Sequence, residues 1–240
     1  MDKREKYLIV SAGGIGTRMG AGRPKQFLLL GGKPILLRTL ERFIAACPDI
    51  HIVTVLPKDW MDHWKEVCLQ YGFVYPQRLV PGGITRFHSV KAALAQVPAG
   101  AYVAVHDGVR PLVSEALIRS MFERMDAGCR ALIPVTPVTD TLKLLEKGAD
   151  GVLRTKEGPS PDRSVLFGAQ TPQIFCSEDL LAAYTQPFDT SFTDDASVVA
   201  KSGVPLAWTE GERFNLKITC PEDLVFAEAI LAEQERVSRG

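Results

Sequence analysis

Short β-rich runs alternate with helix-length amphipathic segments through the first 135 residues, and no other feature of the chain constrains its fold more. Tyr7–Val10 reads as a strand, and "PILLRTLERFIAAC" then places Leu36, Leu40, Phe43, Ile44 and Cys47 on one helical face. The rhythm continues with a strand at 51–57, a helix at 58–71, an extended piece at 73–80 and a helix at 85–97. A buried strand at 101–107, a helix at 114–128 and a strand at 131–135 complete it. Such alternation predicts an α/β chain with a doubly wound, mostly parallel sheet and helices on both faces.

From Thr136 to Val165 the rhythm stops. "TLKLL" and "GVLRT" flank "EKGAD", a hairpin pattern, and the stiff "EGPSPDR" follows. A stretch of this length without a helix fits badly inside a compact body, so residues 136–165 are expected to project as a β-arm. "SVLFGAQTPQIF" returns to the body. Helices are expected at 177–184 and 194–201, the second capped by Thr193 or Asp194, with extended runs at 204–209 and 213–218. The last helix opens on Thr219-Cys220-Pro221-Glu222, a capping-box pattern. No repeat divides the chain, so residues 1–240 are expected to form one domain bearing one arm.

Lys plus Arg (28) balances Asp plus Glu (28), so no global field draws the chain to nucleic acid or a membrane surface, and any anion site has to be local. No apolar run approaches a transmembrane span, and "MDKREKYLIV" lacks a signal-peptide pattern. The five cysteines are widely spaced without a CxxC, which favours reduced thiols in a cytoplasmic protein; Cys47 and Cys68 read as packing residues.

The first strand runs into "SAGGIGTRMGAGRPKQF", residues 11–27. Glycines 13, 14 and 16 after a buried strand suit a phosphate, but the known loops fit poorly. A P-loop needs Lys-Ser or Lys-Thr after its last glycine, and a dinucleotide loop would need glycine where Met19 stands. Two cations, Arg18 and Lys25, are the distinguishing feature. A triphosphate attacked at its α-phosphorus gathers negative charge on equatorial and leaving oxygens, which two such cations suit; solvated surface cations are the alternative. Asp107 ends a predicted central strand, where open α/β sheets bind ligands, and a carboxylate beside a triphosphate suits Mg²⁺; a turn formed with Gly108 is the alternative. His106 reads as structural, because a phosphate nucleophile needs no base.

"AGGIGTRM…RPKQF" resembles the signature of nucleotidyltransferases that activate sugars and sugar-alcohol phosphates. More narrowly, the chain is similar to the 2-C-methyl-D-erythritol 4-phosphate cytidylyltransferase family. The likeness recurs in "PGGITRFHSV", "VHDGVRP", "DTLK", "PDR", "QTPQIF", "FTDDASV" and "NLKITCPEDL". It implies a Rossmann-like sheet of the nucleotide-diphospho-sugar transferase type. Transition-state charge would be met by Arg18 and Lys25, and Arg163 and Lys217 would position the second substrate. CTP would be held by Ala12, Gly13, Gly14, Gly82, Gly83, Arg86, Ser89 and Gly108. The polyol phosphate would be held by Asp107, Arg110, Thr141 and Thr171, with Asp107 also the Mg²⁺ ligand. The family's loop usually carries a second alanine where Gly13 stands, and two alanines where Gly108-Val109 stand. The resemblance further implies a homodimer whose arms interlock, so that Thr141 and Arg163 serve the partner's site.

The expected reaction is Mg²⁺-dependent transfer of CMP from CTP to 2-C-methyl-D-erythritol 4-phosphate, in line and without a covalent enzyme intermediate. The nearest alternative is the same chemistry on another polyol phosphate, such as ribitol 5-phosphate. A non-catalytic nucleotide binder and a nicotinamide oxidoreductase are more distant ones.

Overall fold

The computed structural model describes residues 4–14 and 23–238. β1 (Lys6–Ser11) opens the chain, and a tight hairpin follows from β2 (Leu29–Leu30) and β3 (Lys33–Pro34). α1 (Ile35–Ala46) leads to β4 (His51–Leu56), and α2 (Met61–Gln70) to β5 (Gln77–Pro81). Next come α3 (Arg86–Leu94), β6 (Tyr102–Asp107), α4 (Glu115–Asp126) and β7 (Ala131–Pro137). The hairpin of β8 (Leu145–Lys147) and β9 (Leu153–Thr155) stands apart as its own two-stranded sheet. β10 (Phe167–Ala169), β11 (Gln173–Cys176), α5 (Ser177–Ala183), α6 (Asp195–Lys201), β12 (Ala207–Glu210) and α7 (Pro221–Ser238) complete the chain.

The eight-stranded sheet runs β10-β7-β11-β6-β1-β4-β5, with β12 beside β7. β1 pairs in parallel with both β4 and β6, so the chain winds outward through β4 and β5 and then returns to the other side of β1. That reversal between β1 and β6 opens a crevice at their carboxyl ends, where such sheets bind ligands. The period of two along each strand separates the two layers. Leu8 and Val10 face a core built with α1, α2 and α4, while Ile9 faces one built with α3, α5 and α6. Cys47 is buried in the first of these cores and Cys68 packs against it. A third cluster joins Leu30 and Ile35 to Val109, Leu112 and Ile218 and to Ala227 and Leu231 of α7. Among the described residues, no helix is long and apolar enough to cross a membrane.

The sheet is mostly parallel, as expected; β11 is antiparallel and sits between β6 and β7, because the chain doubles back through β10 after the arm instead of crossing over through a helix. Two expectations need correction. Residues 213–218 form no strand; the buried Asn215 side chain engages Gln170 and the Thr171 carbonyl and holds the segment as a loop. The cap of α7 is shifted by one residue: Asp223, and not Glu222, accepts from the amides of Thr219 and Cys220 at 2.7 and 3.0 Å. At α6, Asp194 is the N-cap and completes a reciprocal capping box with Ser197.

The hairpin turn falls at Gly148–Gly151, closed by the Gly151 amide donating to the Gly148 carbonyl and by an Asp150–Arg154 ion pair at 2.6 Å. Glu146 pairs with Arg154 across the strands. Leu145, Val152 and Leu153 are all exposed, so the hairpin leaves apolar surface uncovered within the single chain.

Candidate active site

The carboxyl ends of β1, β4, β5 and β6 bring three loops together. The Ala12 amide donates to the Val55 carbonyl, the Gly82 amide to Leu56 and the Gly108 amide to Ser11, all within 3.0 Å. Gly13 and Gly82 lie side by side: a Cβ on Gly82 would stand 3.5 Å from the Gly13 Cα. At Gly83 a Cβ would meet the His88 Cβ at 2.5 Å, so only glycine lets the turn reach the start of α3. Ser89 closes that turn. Its hydroxyl accepts from the Gly83 amide at 3.0 Å and donates back to the Thr85 carbonyl at 3.0 Å. Gly14 is exposed at the described end of the glycine loop. Arg18 lies outside the described residues. Lys25 begins a 3-10 turn, Lys25–Phe27, on the far side of the loop.

That turn contains a residue the sequence reading passed over. Gln26 is buried, and its amide nitrogen donates to the carbonyls of Ala12 (2.6 Å) and Gly14 (3.2 Å). Phe27 anchors the turn by stacking on Trp60 at 5.3 Å. The loop is therefore held from beneath by one side chain. The signal was present in "PKQF", where a glutamine sits between a cation and an aromatic, but nothing local says that it points inward.

Asp107 ends β6 opposite Ser11 and is 6% exposed. Three cations surround it. Arg110 Nε lies 3.1 Å and Lys217 Nζ 3.2 Å from Oδ2, and Arg86 Nε lies 3.9 Å from Oδ1. Burial pushes the Asp107 carboxyl upward, but Lys217, Arg86 and Arg110 together hold it well below the usual carboxylate range. Arg110 also donates to the Asn215 carbonyl at 2.7 Å, which ties the β6 turn to the loop that carries Lys217. Glu212, in the same loop, accepts from the Ser114 amide at 3.0 Å at the start of α4.

Behind Asp107 runs a buried relay. The His106 Nε2 faces the Arg110 carbonyl at 3.1 Å, which requires the proton on Nε2 and leaves Nδ1 to accept from the Thr171 hydroxyl at 3.0 Å. The same hydroxyl accepts from the Asp107 amide at 3.0 Å. Burial pushes the His106 imidazole down to about 4, so it is neutral near pH 7. The Thr171 hydroxyl is thus used from both sides as a brace for Asp107. Gly108 is packed hard: a Cβ there would stand 2.8 Å from the Ala12 Cβ and 3.2 Å from Leu36 Cδ1.

Thr141 and Arg163 are exposed on the arm, where Arg163 donates to the Thr139 carbonyl at 3.0 Å. No ion pair or hydrogen bond among the described residues joins either to the Asp107 cluster. Asp107 is also the expected metal ligand; its carboxylate is already paired with three cations, so the donor set there does not fit a magnesium ligand as it stands.

A mostly parallel sheet reversing between β1 and β6, with glycine turns and a set of cations at that crevice, fits an α/β nucleotidyltransferase. The family described as 2-C-methyl-D-erythritol 4-phosphate cytidylyltransferase (IspD) matches residues 7–233. The enzyme of that name from Bacteroides fragilis is 46% identical over 225 residues, covering 93% of this chain and 98% of its own. Its Bacteroides thetaiotaomicron counterpart is 45% identical over 228 residues, covering 95% of this chain and 100% of its own. The crystal structure of the Thermus thermophilus enzyme superposes with a TM-score of 0.70 at 32% identity, covering 94% of this chain and 98% of that one. The chain belongs to the 2-C-methyl-D-erythritol 4-phosphate cytidylyltransferase family.

Proposed function

We infer that this chain transfers CMP from CTP to 2-C-methyl-D-erythritol 4-phosphate, releasing pyrophosphate and forming 4-diphosphocytidyl-2-C-methyl-D-erythritol in isoprenoid biosynthesis. Family membership across residues 7–233 supports the reaction, and the cations gathered at Asp107 are the observation that carries its mechanism. The substrate phosphate is already an ionised nucleophile, so the protein's task is to align it with the α-phosphorus and neutralise charge. Ala12, Gly13 and Gly14 would present backbone groups to the triphosphate, with Arg18 and Lys25 countering the charge that grows during transfer. Gly82, Gly83, Arg86 and Ser89 would bound the cytosine and ribose, where glycines allow close approach and the rigid turn disfavours a larger purine. Lys217 and Arg110 would receive the polyol phosphate. Asp107 would keep these cations gathered before substrate arrives and accept a hydroxyl of the polyol.

Magnesium is proposed as the divalent cation of the reaction, entering as the counter-ion of the triphosphate. The exposed Leu145, Val152 and Leu153 support a homodimer in which the arm of one chain is covered by the other, bringing Thr141 and Arg163 to the partner's site. A cytoplasmic location and the absence of nucleic-acid or membrane partners remain part of this reading. Pyrophosphate release measured side by side with 2-C-methyl-D-erythritol 4-phosphate and ribitol 5-phosphate tests the assignment. Preference for the first by an order of magnitude or more is expected, and equal or reversed turnover would overturn it.

A further inference from the structure

Arg86, the first residue of α3, lies between two carboxylates at unequal distances. Its Nη2 donates to Asp195 Oδ2 at 2.6 Å, whereas its Nε stands 3.9 Å from Asp107 Oδ1. Asp195 is completely buried at the start of α6, and its second oxygen accepts from the Tyr184 hydroxyl at 2.6 Å. Tyr184 is itself fixed, its ring stacked 4.8 Å from Phe87, the residue after Arg86. The backbone around Asp195 is pinned as well: Gln173 accepts from the Ala196 amide at 2.8 Å and donates to Asp194 at 2.8 Å.

A buried ion pair of this kind is a poor device for stability alone, because the desolvation of two charges offsets much of their attraction. Its geometric effect is more specific. Asp195 is the hydrogen-bonded partner of Arg86 among the described residues, and it engages one of five guanidinium N–H groups. The grip on Nη2 fixes the guanidinium at the start of α3 with its Nε 3.9 Å from Asp107 Oδ1, and leaves a side chain that is 28% exposed with its other N–H groups free of a hydrogen bond among the described residues.

We propose that Asp195, braced by Tyr184, is a positioning residue that fixes Arg86 so that its unused N–H edge meets CTP. The proposal rests on the reading of Arg86 as a nucleotide contact. Tyr184→Phe removes one hydrogen bond, keeps the stacked ring and should raise the KM for CTP about 3- to 10-fold. The KM for 2-C-methyl-D-erythritol 4-phosphate and kcat should stay within about twofold. Asp195→Asn should raise the KM for CTP by about tenfold or more, and adding it to Arg86→Ala should bring no further rise, because both act through one guanidinium. A merely structural role would instead lower Tm and the active fraction without moving the KM for CTP. The proposal is overturned if Tyr184→Phe leaves that KM unchanged, or if the Asp195 and Arg86 effects multiply. Should Arg86→Ala itself leave the KM for CTP unchanged, the nucleotide role of Arg86 fails first, and the two failures are told apart.

Discussion

Asp107→Asn keeps the shape of the side chain and removes one buried negative charge from among three cations, whose fates differ. Lys217 has a side chain 42% exposed and can turn to water, and Arg86 retains Asp195. Arg110 is 12% exposed and loses its carboxylate at 3.1 Å, though it keeps the Asn215 carbonyl at 2.7 Å. Stranding one member of a fully buried pair costs about 3–5 kcal/mol. With one cation of three stranded and still hydrogen-bonded, about 2–3 kcal/mol is expected, which lowers Tm by roughly 5–10 °C in a chain of this size. The pH dependence follows from linkage. The native Asp107 carboxyl titrates below its usual range and the unfolded one near its ordinary value of about 3.9, so the native state binds fewer protons. The stabilisation is then fully present above the unfolded value and disappears as pH falls through the native one. Denaturant unfolding of parent and variant should give a constant gap from about pH 8 to 5 that narrows below about pH 4. Equal stability at pH 7, or a gap that does not narrow in acid, would refute the reasoning. The same pair of proteins tests the metal: half-saturating Mg²⁺ should agree within about twofold, and a shift of about tenfold would return Asp107 to the role of a ligand.

Arg18→Ala and Lys25→Ala should each lower kcat about a hundredfold or more with a smaller change in the KM for CTP, measured by pyrophosphate release; normal turnover would exclude them as transition-state partners. Gln26→Ala leaves the Ala12 and Gly14 carbonyls without their buried donor, so a loss of about 1–3 kcal/mol in stability and a raised KM for CTP are expected. His106 is neutral in the native state down to about pH 4 but protonates near pH 6.5 when unfolded, so it stabilises the fold above pH 6.5 and loses that contribution as pH falls toward 4. Unfolding free energies of His106→Gln should therefore slope less with pH than the parent's across that window. Arg163→Ala and Lys217→Ala homodimers should each be nearly inactive, and their co-refolded heterodimer should regain up to about half of native activity through one intact shared site. No recovery in verified heterodimers would exclude a shared site.

Local sequence carried the alternation of strands and helices, because a side chain's face depends on the period of its own segment. Leu8 and Val10 against Ile9, and the buried stripe of α1, follow from spacing alone. The hairpin with its turn at 148–151 was legible for the same reason, since glycines and a short polar stretch between two apolar runs act locally. The position of Asp107 at a strand end could also be read from the chain, but its partners could not. Arg86, Arg110 and Lys217 reach it from the start of a helix, a turn and a loop, brought there by the reversal between β1 and β6. The inward glutamine at 26, the brace formed by Thr171 and His106, and the grip of Asp195 and Tyr184 on Arg86 lie in the same category. A hydrogen bond or ion pair between distant segments depends on which backbones the topology places within about 3 Å and on how little water remains between them. Neither quantity is a property of a local stretch of residues, so the sequence determined the elements and the tertiary structure alone decided what each charged side chain would face.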